Sequence, residues 1–297
     1  KNRLSDLKPS DDKLVFMSAP RWIGHDRRGN PMFESTPDGK ISNKILTDFP
    51  DIEEDFDNFS SGKKIENNNI SQEINSSEIF NDEYLRFNAM FYKQKDQVNI
   101  IKTTKNKKNK FQIFKLESLI KKIFYPGRFK RNYVDYYKGA VPFLGGSNIT
   151  ELLTKTNKWI REDDPNINQL QVKPGWILVT RSGSTGIVSS VPKAWDKFAI
   201  SEHVVRIIPD ENKLPKEYLI AFLKSKLGQL ELSKGIFGSV IEEISPKSIS
   251  EINVLVPKDK KVLNKIVKEI KESENNRNLS MQLNVKAMNE IESFFSI

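Results

Sequence analysis

The sequence predicts an α+β chain: a small twisted sheet with peripheral helices and one long C-terminal helix. Three observations carry this. Short apolar runs bounded by Pro, Gly or Asp recur at Leu14–Ala19, Trp176–Thr180, His203–Ile208 and Ile252–Val256, the pattern of strands. Helical spacing occupies Asp48–Phe59 and Pro215–Leu227. After Pro257, an apolar stripe of Val262, Leu263, Ile266, Val267 and Ile270 follows three- and four-residue spacing.

Taken in order, residues 1–59 hold the LVFMSA strand, a turn-rich GHDRRGNP segment (Gly24–Pro31) and an acidic amphipathic helix with Phe49, Ile52, Phe56 and Phe59 on one face. Residues 60–81 are polar and Asn/Ser-rich, which reads as a linker unable to build a core alone. Residues 82–257 alternate strands and turns. Lys173-Pro174-Gly175 introduces one strand, and Pro215 opens a helix that turns Leu219, Phe222, Leu223 and Leu227 to one side. Residues 258–297 form the long helical segment, its stripe interrupted by KESENNRN (Lys271–Asn278). The stripe of Val262, Ile266, Val267 and Ile270 is expected to dock on another helix, from a second copy or a partner.

Composition excludes several classes. The 297 residues include no cysteine, which removes disulfides and thiolate metal centres. The two histidines, His25 and His203, offer little for a metal site or a catalytic triad, and Glu202-His203 is not an HExxH motif. No run of about 18 apolar residues occurs, so no membrane span is expected, and the first ten residues lack a signal-peptide core. A cytoplasmic location fits both. The chain starts with Lys1 and not Met, so it is expected to be a fragment or a processed product. The Asn/Asp-Pro-Pro-Tyr/Phe motif of adenine methyltransferases and a Gly-rich cofactor loop are both missing, so the chain alone is expected to methylate nothing.

Positive charge is concentrated. Between Lys93 and Arg131 thirteen basic residues oppose two acids, an excess of eleven that exceeds the net +9 of the whole chain. Such a block attracts a polyanion, nucleic acid being the commonest; up to Lys110 a solvated Lys-rich loop fits equally. In PGRFKRNYVDYYKGAVPFLGGSNI (Pro126–Ile149), Arg128, Lys130 and Arg131 interleave with Phe129, Tyr133, Tyr136 and Tyr137. The Gly145-Gly146-Ser147-Asn148 turn adds backbone amides. Cations serve phosphates and rings stack on bases, although the same rings also suit a sheet core. In GWILVTRSGSTGIVSSV (Gly175–Val191) a strand runs into Arg181, Ser182, Gly183, Ser184, Thr185 and Gly186. That is a phosphate-binding turn or an ordinary Gly-Ser hairpin. A third polar loop holds Lys234, Gly235, Gly238 and Ser239.

In this order, the pieces from about Arg86 to Ile270 resemble a target recognition domain of type I restriction–modification specificity subunits. RFNAMFYKQ (Arg86–Gln94), LESLIKKIF (Leu116–Phe124), GAVPFLGGSNIT (Gly139–Thr150) and PGWILVTRSGSTG (Pro174–Gly186) are similar to its successive segments. So is YLIAFLKSKLGQLEL with the following ISPKSISEINVLVP, which closes at Pro257. Trp176 stands where the family has an aspartate. APRWIGHDRRGNPMFE and DFPDIEEDF, within Ala19–Phe56, resemble the segment after the catalytic core of N6-adenine methyltransferase subunits.

The resemblance implies four parts: a methyltransferase C-terminal tail segment (1–59), a linker (60–81), a target recognition domain with that family's twisted small sheet (82–257) and a C-terminal helical spacer or docking segment (258–297). It implies a module that reads double-stranded DNA and guides an attached or partner methyltransferase, which would use S-adenosylmethionine, together with a restriction subunit. A homodimer through the C-terminal helix would fit. A non-catalytic protein–protein adaptor and a nonspecific nucleic-acid-binding protein are the alternatives. Under the DNA reading, Lys121, Lys122 and Lys130 neutralise phosphates, while Arg128, Arg131 and Arg181 offer planar forks to guanine. Tyr133, Gly146, Ser147, Asn148, Ser182, Ser184, Thr185, Lys234 and Ser239 complete the expected contact surface.

Overall fold

The computed structural model describes residues 12–26, 28–65, 70–81, 87, 89, 92, 110–151, 156–237 and 243–295. The chain divides into two compact units, Lys1–Asn99 and Ile100–Ile297. The RFNAMFYKQ segment is described only at Phe87, Ala89 and Tyr92, and the lysines from Lys93 to Lys108 lie outside the described residues, as does Ser239.

The first unit contains β1 (Leu14–Ser18), β2 (Phe33–Ser35), β3 (Ile41–Ile45), α1 (Phe49–Ser60), β4 (Ser71–Asn75) and α2 (Ser76–Phe80). GHDRRGNP is a tight turn. The Asp26 carboxylate accepts from the Arg28 and Asn30 amides at 2.8 and 2.9 Å, and Gly29 takes a φ of 84°. Phe56 and Phe59 of α1 pack on Phe16 with ring centroids 5.5 and 5.6 Å apart. The stretch read as a linker is corrected over its second half: β4 pairs antiparallel with β1 from Leu14↔Asn75 to Ser18↔Ser71. Its apolar content is low because one face suffices. Ile74 and Ile79 bury with Met17, and Asp12 ties down the Ser77 amide at 2.8 Å and the Ser76 hydroxyl at 3.0 Å.

The second unit begins with β5 (Phe111–Lys115), β6 (Ile120–Phe124), β7 (Tyr133–Val134), β8 (Val141–Leu144) and β9 (Trp159–Ile160). It continues through α3 (Ile167–Leu170), β10 (Ile177–Thr180), β11 (Val188–Ser190), β12 (Ala199–Ile200) and β13 (Val204–Pro209). Then come α4 (Lys216–Lys224), α5 (Lys226–Ser233), β14 (Ile236–Phe237), β15 (Glu243–Ile244), α6 (Pro246–Ser250), β16 (Asn253–Pro257) and α7 (Lys260–Phe294).

The central sheet has the order β11-β10-β13-β6, antiparallel throughout. Its two inner strands, β10 and β13, read as nearly continuous apolar runs because both faces are covered. Ile177, Val179, Val205 and Ile207 join a core with Leu219 and Leu223 of α4. The alternate residues Leu178 and Val204 join a second core around Trp195. Trp176, the departure from the family aspartate, packs on that second core and meets Phe124 edge-on at 5.9 Å. A second sheet, β12-β8-β9-β7, buries Val141, Phe143, Ile160 and Ala199 against Leu170.

The helix expected over Pro215–Leu227 breaks at Ser225, whose hydroxyl caps α5 by accepting from the Gly228 amide at 3.2 Å. The two helices meet closely there. A Cβ on Gly228 would lie 2.0 Å from the Phe222 carbonyl oxygen and 2.7 Å from Leu223 Cα. Both neighbours are backbone and cannot swing aside. Gly228→Ala is expected to lower stability by about 2–3 kcal/mol, read as a lower urea midpoint.

The long helix α7 runs for 35 residues, about 50 Å at 1.5 Å per residue. The expectation that its stripe seeks an outside helix is corrected. Leu263, Ile266, Val267 and Ile270 pack on the first core of their own unit, and only Val262 of the stripe is largely exposed. The apolar stripe is interrupted at KESENNRN while the helix runs on through it. Contact there changes from apolar to polar: Glu274 accepts from the Ser190 hydroxyl, and Arg277 donates to the Ser190 and Ile149 carbonyls at 3.1 and 3.3 Å. Asn278 accepts from the Lys193 amide at 2.8 Å. Met281 then buries in the second core. Beyond it Leu283, Val285, Ile291 and Phe294 are exposed.

Candidate nucleic-acid interface

Antiparallel pairing brings three chain segments to one end of the central sheet. Thr180 lies opposite Val204, and Phe124 opposite Arg206. Tyr125, Arg181 and His203 therefore emerge together. The Gly145–Asn148 turn joins them, since a Cβ at Gly146 would sit 3.6 Å from Thr180 Cγ2. Two motifs some 50 residues apart in sequence thus share one surface.

Two carboxylates that the sequence reading passed over hold this surface together. Glu243 of β15 meets Arg181 at 2.7 Å and Arg128 at 3.7 Å. Glu202 meets Arg131 at 2.7 Å. The Arg181 guanidinium also lies over the Tyr125 ring at 4.4 Å, and Arg131 over Phe129 at 4.0 Å. His203 Nδ1 pairs with the Ser182 hydroxyl at 2.6 Å. The local cue for Glu202 was its place beside His203, weighed only as a metal motif. Among the described residues no cluster could hold a metal ion.

These contacts correct two base-reading assignments. The side chains of Arg131 and Arg181 are 9% and 10% exposed and their forks are engaged by carboxylates; they brace the surface. Arg128, with a side chain 67% exposed, meets Glu243 only at 3.7 Å and keeps most of its fork open to solvent. Arg181–Ile187 is the ordinary hairpin connection between β10 and β11. The Thr180 hydroxyl accepts from the Ile187 amide at 2.9 Å and donates to the Ser184 carbonyl, and Gly183 and Gly186 supply positive φ. Ser184 is exposed at its tip, with Ser182 and Thr185 half-buried at its flanks. Ser147 is exposed, while Asn148 is occupied in closing its turn on the Gly145 amide at 2.9 Å.

Lys130 and Tyr133 are exposed on the segment leading into the second sheet, and Lys158 lies over the Tyr133 ring at 5.4 Å. Lys121 and Lys122 are exposed on the edge strand β6. Successive strand residues point to opposite faces, so these two do not act as a pair. Lys234 is also corrected. Its ammonium turns to the buried Glu231 carboxylate, which accepts from the Asn253 amide at 2.9 Å, and so ties α5 to β16.

Glu243→Ala would strip Arg181 of its anion while leaving the guanidinium buried. The expected cost is about 2 kcal/mol, below the range for a fully buried pair because Glu243 is partly hydrated. Equilibrium unfolding of the variant measures it.

The chain was compared with known proteins. The sequence profile described as the type I restriction modification DNA specificity domain matches residues 108–287. No protein with a curated description matches. Several solved structures are similar. The S subunit of a type I restriction–modification system from M. genitalium shares 18% identity over 62% of this chain and 45% of that one, with a TM-score of 0.43. The HsdS subunit from Thermoanaerobacter tengcongensis shares 14% over 65% and 46%, at 0.41. A chain from a structure on complex assembly and conformational transition of the type I R-M system shares 15% over 68% and 50%, at 0.42. This chain spans about half the length of each. The profile covers more than half of the 297 residues, through both sheets and most of the long helix; the chain belongs to the type I restriction modification DNA specificity domain family.

Proposed function

We propose that this domain reads a specific double-stranded DNA sequence and directs an attached or partner N6-adenine methyltransferase, and a restriction subunit, to it. The chain performs no chemical step in this reading, and S-adenosylmethionine serves the methyltransferase. The observation that carries it is the convergence of Arg128, the hairpin loop and the Gly145–Asn148 turn at one sheet end, braced by Glu202 and Glu243. A rigid frame with one exposed fork at its centre suits groove reading, where a guanidinium engages guanine bidentately. Lys130, Lys158 and one of Lys121 and Lys122 border it as phosphate contacts.

The first unit fits a methyltransferase tail: its exposed Ile41, Phe49 and Phe56 offer a surface to a catalytic domain. The exposed Leu283, Ile291 and Phe294 on the last turns of α7 fit a helix of a second copy or of the methyltransferase. The cytoplasm, where the DNA is, is the compartment this activity requires.

Selection from a randomised duplex pool tests the reading. One sequence should be enriched, and the chain alone should transfer no labelled methyl group to it. A pool that stays random after selection contradicts the proposal.

A further inference from the structure

A cluster of exposed rings lies beside the arginines. Tyr133, Tyr136 and Tyr137 are all exposed within five residues, Tyr136 to 71%. Trp159 of β9 pairs in register with Val134 of β7, and the Tyr136 ring leans on it with centroids 4.8 Å apart and planes inclined by 59°. The cluster sits at the β7 edge of the second sheet, with Tyr133 on that strand, Tyr136 and Tyr137 just after it and Trp159 on the neighbouring β9. Lys130, Lys138 and Lys158 are exposed around it. The nearby acids are Asp135, Glu162 and Asp163; Asp163 is bound by Arg161 at 2.7 Å, and the Glu162 carboxylate packs at Gly139.

A paired base shows a protein only its edge, and a phosphate asks for charge or an N–H donor. Neither uses an exposed tyrosine ring leaning on a half-buried tryptophan. The face of an unstacked base does, and rings bordered by cations are how proteins hold one. We propose that Tyr136 and Trp159 form a stacking platform for a base displaced from the duplex beside the recognised site, with Lys130 and Lys158 holding the phosphates of the opened strand. This rests on the DNA reading above. It adds that the bound DNA is locally unpaired or kinked, in the manner of duplexes opened by inserted side chains.

The test compares fluorescein-labelled 20-mer duplexes, one fully paired and one carrying a single bulged thymine, titrated with the full chain. The bulged duplex should bind about tenfold more tightly. Tyr136→Ala should bring the ratio of the two affinities to about one, and Tyr136→Phe should restore it. Tyr136 is too exposed for either change to unfold the domain. Quenching of tryptophan fluorescence by the bulged duplex should be lost in Trp159→Phe. If the paired duplex binds and the wild-type ratio is already one, the platform is refuted while the DNA reading stands. The same holds if Tyr136→Ala leaves the ratio unchanged. If neither duplex binds, both readings fall.

Discussion

Arg206→Met should cost the fold about 3–5 kcal/mol, the largest loss expected from a single side chain here. Arg206 is fully buried on β13. Its guanidinium donates to the Ser201 carbonyl at 2.8 Å, to Leu170 at 3.3 Å, and to Val204 and Ile200. These oxygens lie on α3 (Leu170), on β12 of the second sheet (Ile200), in the turn between the sheets (Ser201) and on β13 itself (Val204), so one side chain joins the two sheets. Burial pushes the guanidinium down to about 9, with Glu202 opposing the shift; the group stays charged at neutral pH. Methionine fills much of the volume but leaves carbonyls facing apolar neighbours. Lysine keeps the charge and loses the planar fork, and should recover only part of the stability. The consequence reaches the proposed DNA surface, because the tethered turn carries Glu202 and His203. Urea unfolding followed by tryptophan fluorescence measures the loss. A wild-type midpoint for Arg206→Met would show that the second sheet is held by its apolar core alone.

The triple variant Lys121→Ala, Lys122→Ala, Lys130→Ala should weaken DNA binding about fifty- to hundredfold at about 0.1 M salt. Each phosphate contact releases about one counterion, so three lysines acting together would flatten the plot of log affinity against log salt by about three units. Strand alternation allows only one of Lys121 and Lys122 to face a given duplex. The expected change is therefore about two units, with one of the two single β6 variants nearly silent. Affinity for every sequence should fall alike, since ammonium groups carry no base information. A change of about three units would mean that both β6 lysines reach the DNA, and a change of about one unit, from Lys130 alone, would place β6 outside the interface.

Local chemistry made much of this legible. WILVT and HVVRII were readable as strands because both faces of the central sheet are buried. The acidic helix was readable from the spacing of its phenylalanines. The β4 strand was not, because SQEIN places a single large apolar side chain, Ile74, on its buried face. The break at Ser225 was hidden inside an unbroken helical pattern and shows only as close backbone packing at Gly228. In the site, the basic–aromatic motif of Pro126–Ile149 and the Gly/Ser hairpin of Gly175–Val191 were each visible but their juxtaposition was not, since it depends on antiparallel register. Arg131 and Arg181 looked like free forks because their carboxylates lie 71 and 62 residues away. Helix α7 misled for a related reason. KESENNRN does interrupt the apolar stripe, but its sequence does not show that Glu274, Arg277 and Asn278 find polar partners 84 to 88 residues upstream, on and just after β11.

The most direct test is the ratio of two affinities. The duplex enriched from a random pool should compete against its own scrambled sequence, at the same composition and at about 0.1 M salt. A sequence-reading domain should favour it by about a thousandfold or more, and Arg128→Ala should reduce that ratio by about 1–3 kcal/mol at a single base position. Equal affinity for the two duplexes would contradict sequence reading and leave a nonspecific polyanion surface.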